Sequence, residues 1–240
     1  MLYRWLFRWK EIRHQVIYIC THTDFLVPPQ LNGDYTILTC KPLADTYPYP
    51  VEVVTENQIT PMQYAYAEGY HIQHIWRTKH DDWVGINQYR KYFWDVPQHT
   101  TVLPIPRQYN MHAQYTDSHC IYDLLACERI IDKYFPEYSC DYRALRLYHC
   151  NMFVMRWSDF DQYCKFVFGV LDIFNQENNL HTDEDVYNFV ARRYGQYSQK
   201  HDIKYQSRLQ GYLFERIGTI FFTRHFDMAQ RKIHFVSNKI

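Results

Sequence analysis

The chain has 240 residues, of which 47% are hydrophobic, so it can bury a sizeable core and is not a disordered protein. This length suits one large domain, or a core domain with an appendage. Lysine plus arginine and aspartate plus glutamate both number 26, so the formal net charge is zero. A protein whose whole surface binds nucleic acid is therefore excluded, whereas a local basic groove is not.

The seven cysteines are odd in number and contain no Cys-x-x-Cys pair. Several lie within apolar runs, which is typical of buried, reduced thiols, so we expect neither a disulfide framework nor a zinc site. No apolar run reaches ~18 residues, and the N-terminus lacks the apolar stretch of a secretory signal. We therefore expect a cytoplasmic protein without a membrane-spanning helix.

The N-terminal segment, residues 1–14, interleaves basic residues with Leu, Trp and Phe. This pattern is that of a short interfacial helix on an anionic membrane, which would make the protein peripheral at the inner membrane face. The alternative is a helix packed on the domain.

The first strand signal is the apolar run from Gln15 to Cys20, which opens into a polar loop at residues 21–23. Such a start is usual in nucleotide-binding α/β domains. The sequence has neither the dinucleotide fingerprint nor a P-loop. A second strand is predicted at 35–39, and residues 41–50, with three prolines, are predicted to form a loop.

The first helix signal is Thr60 followed by Pro61, an N-cap and first-position pair that predicts a helix running to about Arg77. Glu68 would then lie in mid-helix, where a lone carboxylate is usually solvated. The other predicted elements are a strand at 83–89, an extended segment at 102–106, a helix at 118–134, a strand at 151–155, a helix at 159–175 capped by Ser158, a polar linker at 176–182 and a helix at 211–222.

Residues 81–93 concentrate the polar chemistry of the chain, because the apolar strand at 83–89 ends in amide, phenol and cationic side chains. A buried strand that ends this way forms a ligand crevice at the carboxyl edge of an open α/β sheet. Arg90 and Lys91 supply donors for an anionic group, and arginine can bind phosphate through two hydrogen bonds. The alternative is an edge strand with a solvated basic end.

Several motifs follow one another in the order of a known family. The family hallmark Gly-Leu-x-His-Tyr-Arg-Arg-Tyr-Phe is similar to residues 85–93, and its Glu-Leu-Thr-x-x-Tyr-Trp-x-Trp-Lys-Asn helix is similar to 68–78. The other similar stretches are 22–23, 57–60, His119, 123–124, 136–138, 151–153 and 208–216. Over residues 16–222 the chain thus resembles the uncharacterised-domain family of bacterial capsular and O-antigen polysaccharide glycosyltransferases, some of which are galactofuranosyltransferases. In one departure, Gln88 replaces the family histidine, and glutamine cannot serve as a general base.

The resemblance implies an α/β fold of the GT-A type, with a Rossmann-like nucleotide-sugar domain, a mixed central sheet and flanking helices. The implied domain covers 15–225, between the N-terminal segment and a tail at 226–240. The implied activity moves a sugar from a nucleotide-diphosphate donor, expected to be a UDP-sugar, to a hydroxyl group of a surface polysaccharide or a lipid-linked acceptor.

The resemblance also implies roles for particular residues. The leaving diphosphate needs cations, and the acceptor hydroxyl needs a base. Glu68, Glu215 and His119 are the candidate catalytic residues, since charged residues in otherwise apolar helices need a reason to be there. A buried ion pair with Arg208 or Arg216 is the alternative for Glu215. The expected donor-binding residues are His22, Arg77, Gln88, Tyr89, Arg90, Lys91 and Arg208, and the expected acceptor-binding residues are Tyr64, Asn151 and Met152.

Many GT-A enzymes hold a divalent ion with an Asp-x-Asp sequence at the end of a strand. The chain contains two such sequences, at 159–161 and 183–185. Neither follows a predicted strand, so we expect metal-independent catalysis, with Mg²⁺ or Mn²⁺ as the alternative.

Two other functions fit the same sequence. One is sugar transfer to a hydroxymethylated base in DNA, as in some phages, with the flipped base stacked on Tyr or Trp; zero net charge weighs against it. The other is a non-catalytic sugar-binding module, which the replacement of the histidine by Gln88 favours.

Overall fold

A computed structural model describes most of the chain, and the predicted membrane-contacting segment lies outside the described residues except for His14. So do residues 57–59 of one family-like stretch. The division into a central domain with a segment at each end stays a prediction. The described residues are 14–27, 31, 33–54, 60–93, 96–226, 230–231 and 233–235.

The sheet is built around strand β1 (Gln15–Thr21), which is buried at every position. Its side chains at Val16, Tyr18 and Cys20 enter the core on one face, whereas Ile17 and Ile19 enter a second core on the other. An apolar strand buried on both faces is typical of the parallel centre of an α/β sheet. The other described strands are β2 (Asp34–Thr39), β3 (Val51–Val53), β4 (Trp83–Gln88), β5 (Lys91–Phe93), β6 (Leu103–Pro104), β7 (Phe153–Arg156), β8 (Gln230–Arg231) and β9 (Ile233–Phe235).

Seven of the described strands form one mixed sheet in the order β3-β2-β1-β4-β5-β9, with β7 also paired to β4. Strands β1 to β4 are parallel, whereas β5 and β7 pair with β4 in the antiparallel direction. The chain moves outward from β1 to β3 and then returns to the other side of β1 to form β4. The carboxyl ends of β1 and β4 therefore mark a topological switch point, where open α/β sheets bind ligands.

Helices cover the face of the sheet that carries the larger core, and loops cover the other face through side chains such as Phe25, Leu31 and Val96. The predicted α/β class with a mixed central sheet and flanking helices is confirmed. The described α-helices are α1 (Gln63–Tyr66), α2 (Glu68–Thr78), α3 (Met111–Ser118), α4 (Ile121–Tyr134), α5 (Trp157–Asn178), α6 (Asp183–Arg192), α7 (Ile203–Gln206) and α8 (Leu209–His225).

The helix predicted from Thr60 to Arg77 is two helices, α1 and α2, which are separated at Ala67. Ala67 has φ 49° and ψ −122°, which interrupts the helical hydrogen bonding. Thr60 is not the N-cap, since its hydroxyl accepts from the backbone N–H of Met62 and the helix begins only at Gln63. The mid-helix position predicted for Glu68 is wrong, because Glu68 is the first residue of α2.

Other boundaries also differ from the prediction, and three of the differences involve helix ends or the linker between helices. The helix predicted at 118–134 begins at Ile121, and the separate helix α3 precedes it. Ser158 lies inside α5, whose cap position is Arg156. The predicted linker at 176–182 is shorter, because α5 continues to Asn178 and a capping box starts α6 at Asp183.

All seven cysteines lie in the described part of the chain and carry free thiols, five of them buried. Among the helices described, none has the length and apolar character needed to cross a membrane.

We predict that Gly85→Ala lowers the free energy of unfolding by about 1–3 kcal/mol, because overpacking a close contact is destabilising. A Cβ at Gly85 would lie 2.8 Å from Cγ1 of Ile17 and 3.1 Å from Cγ2 of Val154, across the two strands that flank β4. Urea denaturation measures the change. Gly195→Ala is the control, since a Cβ there meets no described atom within 4 Å. Equal stability of the two variants would contradict the β1-β4-β7 packing.

Candidate functional site

A cavity of about 560 Å³ lies at the carboxyl ends of the parallel strands. Its strand-side wall is formed by His22 after β1, Lys41 after β2 and Tyr89 after β4. Its helix-side wall includes Glu68, at the start of α2, and Arg208, immediately before α8. The cavity thus occupies the switch point of the sheet and carries both charge signs on its walls.

Glu68 is held at the cavity by a helix start and by a side chain of β4. The first turn of a helix stabilises a carboxylate through its free backbone N–H groups. The side-chain amide of Gln88 donates a hydrogen bond to Oε1 of Glu68 at 3.1 Å. The residue that replaces the family histidine therefore orients this carboxylate.

Arg208 is a cation that lines the cavity and interacts electrostatically with Glu68. Burial alone would lower the pKa of Arg208, but the charge of Glu68 and the neighbouring tyrosines Tyr212, Tyr64 and Tyr205 together raise it overall. The guanidinium carbon also lies 5.9 Å from the ring centre of Tyr212. A charged arginine on a cavity wall, facing a carboxylate, is suited to receive an anionic ligand.

His22 lies at the cavity with its ring edge against Tyr89, at 5.0 Å between ring centres. Partial burial lowers the pKa of His22, and the nearby charge of Arg208 lowers it further. The neutral imidazole is therefore favoured at pH 7, so His22 can donate or accept a hydrogen bond but adds no positive charge.

Three consecutive residues follow β4 and point in different directions: Tyr89, Arg90 and Lys91. Tyr89 enters the cavity wall, whereas Arg90 is exposed at its rim, with its guanidinium carbon 4.8 Å from the ring centre of Tyr89. Lys91 turns toward the β7 side, where its ammonium group contacts Sγ of Cys150 at 2.5 Å.

The other two candidate catalytic residues do not line the cavity. Glu215 accepts from the backbone N–H of Cys150 and forms an ion pair with Arg216 at 2.6 Å, which is the alternative that the sequence left open. His119 is buried, stacks on Tyr212 at 4.0 Å between ring centres, and has a pKa that burial lowers to about 3.

The remaining predicted site residues are spread over the fold. Arg77 is at the far end of α2, roughly 13 Å along the helix from Glu68. Met152 is fully buried, and Asn151 lies in the turn before β7. Tyr64 does line the cavity, and its hydroxyl donates to the carbonyl of Lys204 at 2.9 Å.

Sequence reasoning missed Lys41, His71 and Asp183, which also line the cavity. Lys41 follows the end of β2 closely, so the strand-end argument applied to β4 would have found it. His71 is the fourth residue of α2, one turn from Glu68. The sequence did not indicate that His71 lies at a site, because Glu68 was predicted in the middle of a helix and not at its start.

Aspartates of the two Asp-x-Asp sequences accept hydrogen bonds that link elements of the fold. Asp183 accepts from the backbone N–H groups of Tyr64 and Ala65 at 2.9 and 2.8 Å, and Asp161 accepts from Trp76 at 2.9 Å. In the described part of the chain, no group of three His, Cys, Asp or Glu is arranged to hold a metal ion. These residues do not fit the divalent ion of many GT-A enzymes, so we derive no catalytic step through a metal.

A comparison with protein-family models finds a match over part of the chain. Residues 95–199 match a family described as a domain of unknown function, DUF4422. That segment begins after β5 and ends before Arg208, so most of the cavity wall lies outside it. A search of curated proteins finds no match.

Among solved structures, the chain is similar to apo WbbM, a bifunctional glycosyltransferase, with a TM-score of 0.61 and 18% sequence identity. The similarity covers 94% of this chain and 46% of the WbbM chain, so this chain spans about half the length of its structural neighbour. Identity at this level shows the fold alone. The GT-A-like fold that the sequence predicts is confirmed.

We predict that Ala67→Gly raises the free energy of unfolding by about 1 kcal/mol, because only glycine adopts such a positive-φ conformation without strain. Thermal or urea denaturation measures the change. Ala65→Gly is the matched control two residues away in α1, where glycine costs about 1 kcal/mol. If both variants lose stability equally, the turn that places Glu68 at the cavity is not formed.

Proposed function

We propose that this chain is a glycosyltransferase that moves a sugar from a nucleoside-diphosphate donor to a hydroxyl group of an acceptor. The observation that carries the proposal is the cavity at the switch point of β1 and β4, with Arg208 and Glu68 on the same helix-side wall. Sugar transfer needs both groups, because a diphosphate leaves as an anion and a hydroxyl group must lose its proton.

The cations assigned to the donor diphosphate are Arg208 and Lys41 on the cavity wall, with Arg90 at the rim. As the bond between the anomeric carbon and the diphosphate oxygen breaks, the electron pair stays on that oxygen. Cations that are already in place stabilise the developing charge without reorganisation. Neutral His22 contributes a hydrogen bond, and the ring of Tyr89 offers an apolar surface for the donor.

Glu68 is the residue assigned to the acceptor proton. The amide of Gln88 occupies one carboxylate oxygen and leaves acceptor capacity on the group. The acceptor oxygen forms its bond to the anomeric carbon while its proton passes to Glu68. Gln88 cannot take a proton itself, so its role is to orient Glu68, which makes the replaced histidine compatible with catalysis.

The resemblance to polysaccharide glycosyltransferases supports a UDP-sugar as the donor and a surface polysaccharide or its lipid-linked precursor as the acceptor. The structural neighbour is a bifunctional glycosyltransferase about twice as long, which supports the view that one transferase unit has the size of this chain.

We predict that Arg208→Gln weakens UDP binding about 10- to 100-fold, the effect of losing one charged hydrogen-bonding partner of a diphosphate. Isothermal titration calorimetry with UDP measures the dissociation constant. Arg224→Gln is the control, because it removes the same charge from the exposed C-terminal end of α8. Equal UDP affinity in the two variants would show that Arg208 does not contribute to the donor site.

We also predict that Glu68→Gln lowers the rate of UDP release from a UDP-sugar by about 10²- to 10⁴-fold, the usual contribution of a general base. UDP affinity is expected to be kept or increased, because the carboxylate repels a diphosphate. A coupled assay of UDP release with water as the acceptor measures the rate.

Glu137→Gln is the control for charge, since Glu137 is exposed and distant in sequence from every cavity residue. If no UDP-sugar in a panel is turned over by the unaltered protein while UDP still binds, the chain is a non-catalytic binding module.

A further inference from the structure

Three exposed tyrosines lie on the helices at the mouth of the cavity. Tyr64 on α1, Tyr187 on α6 and Tyr205 on α7 are 41%, 45% and 37% exposed. Helix α6 packs against both α1 and α7, so the three side chains belong to one surface, which we call the tyrosine surface. A single exposed hydrophobic side chain is ordinary, whereas a contiguous patch of them marks a binding site.

Tyr64 joins the tyrosine surface to the cavity. Its side chain lines the cavity, and its hydroxyl group donates at 2.9 Å to the carbonyl oxygen of Lys204, the residue before Tyr205. Its backbone N–H donates at 2.9 Å to Asp183, which lies one helical turn before Tyr187 in α6. Side chains four residues apart share a helix face and lean toward the helix N-terminus, so Tyr187 lies on the side of α6 that Asp183 presents to α1.

Tyr205 is held in place by ring stacking and by the cap of its helix. Its ring stacks on His201 at 4.0 Å and on Tyr212 at 5.3 Å between ring centres. Its backbone N–H donates to the side chain of Asp202 at 2.7 Å. An aromatic side chain that is already ordered offers contact area at a small cost in conformational entropy. This part of the surface is therefore preformed for a ligand.

The charged side chains on the same segments of chain carry both signs. Lys204 and Arg208 are cations, and Asp183 and Asp202 are carboxylates. Tyr64 interacts electrostatically with Arg208 and with both carboxylates. Binding of a nucleic acid or an anionic membrane needs an excess of positive charge, which these four side chains do not supply. A neutral carbohydrate suits the surface, because tyrosine offers a ring face to C–H groups and a hydroxyl group to hydroxyl groups.

We propose that the tyrosine surface binds the sugars of the acceptor next to the reacting one, so that the acceptor is a carbohydrate chain and not a single sugar. This proposal rests on the proposed function, in which the reacting hydroxyl group lies in the cavity beside Glu68. The chain leaves the cavity past Tyr64, and its C–H faces stack on the rings of Tyr187 and Tyr205. Each further sugar adds contact area, so affinity rises with the number of sugars until the surface is covered.

The test measures carbohydrate binding while the donor site is filled. Galacto-, gluco- and manno-oligosaccharides of one to four sugars are titrated calorimetrically into the full chain in saturating UDP. We expect the tetrasaccharide of at least one series to bind about tenfold or more tightly than its monosaccharide. Tyr205→Ala and Tyr187→Ala should each weaken tetrasaccharide binding about 5- to 20-fold, the effect of losing one stacking ring, while UDP affinity changes less than about threefold.

Tyr134→Ala is the matched control, because Tyr134 is exposed on α4 and does not line the cavity. Tyr205→Phe keeps the ring that stacks on His201 and Tyr212, so it should retain most of the affinity that Tyr205→Ala loses. A purely structural role would lower the melting temperature of Tyr205→Ala without changing the ratio of tetrasaccharide to monosaccharide affinity. If Tyr205→Ala does not fold, Tyr187→Ala decides the test.

Affinity that does not rise with the number of sugars in any series would overturn the proposal, and so would equal tetrasaccharide affinity in Tyr187→Ala and Tyr134→Ala. A single-stranded oligothymidylate that binds more tightly than every tetrasaccharide, and is weakened by Tyr187→Ala, would identify a nucleic acid as the occupant and overturn the carbohydrate assignment. If UDP fails to bind the unaltered protein, the proposed function fails, and the same titration without UDP still decides whether the surface binds carbohydrate.

Discussion

The close approach of α8 to the turn at Ala67 is the constraint on which the cavity depends. A Cβ at Gly211 would lie 3.0 Å from Cβ of Ala67 and 3.1 Å from the carbonyl oxygen of Tyr66, so only glycine allows this packing without a shift. The same contact determines the positions of two charged side chains, those of Glu68 and Arg208. The turn makes Glu68 the first residue of α2, and the approach of α8 brings Arg208 to the same helix-side wall of the cavity. One backbone contact thus determines where both the carboxylate and the cation of the proposed reaction are placed.

The cavity at the switch point carries both charge signs on its walls, with Arg208 and Lys41 as cations and Glu68 as a carboxylate. The charge of Glu68 favours the charged form of Arg208. A cation that is already in place and charged can stabilise a leaving diphosphate without reorganisation.

The parallel centre of the sheet could be predicted from sequence because the residues of β1 and β4 are apolar at consecutive positions, and few other structures bury such a run. The break at Ala67 could not be predicted, because alanine is a strong helix former and the position itself holds no glycine that would mark the positive φ seen where the turn meets α8. Helix α6 was missed although its capping residues, Thr182 and Asp185, are visible in the sequence. The family resemblance pointed to His22 after β1, whereas the strand-end argument was applied to β4 and not to β2, so Lys41 was missed.

The role of Glu215 could not be decided from sequence, because a helical pattern leaves both a catalytic role and an ion pair with Arg208 or Arg216 open, and the structure pairs Glu215 with Arg216. Gln88 shows what the structure adds to a departure from a family pattern. A histidine at the end of β4 would titrate near neutral pH and could compete for the proton of the acceptor. The amide of Gln88 donates a hydrogen bond to Glu68 and does not titrate. The carboxylate of Glu68 therefore remains as the group beside β4 that can accept the proton.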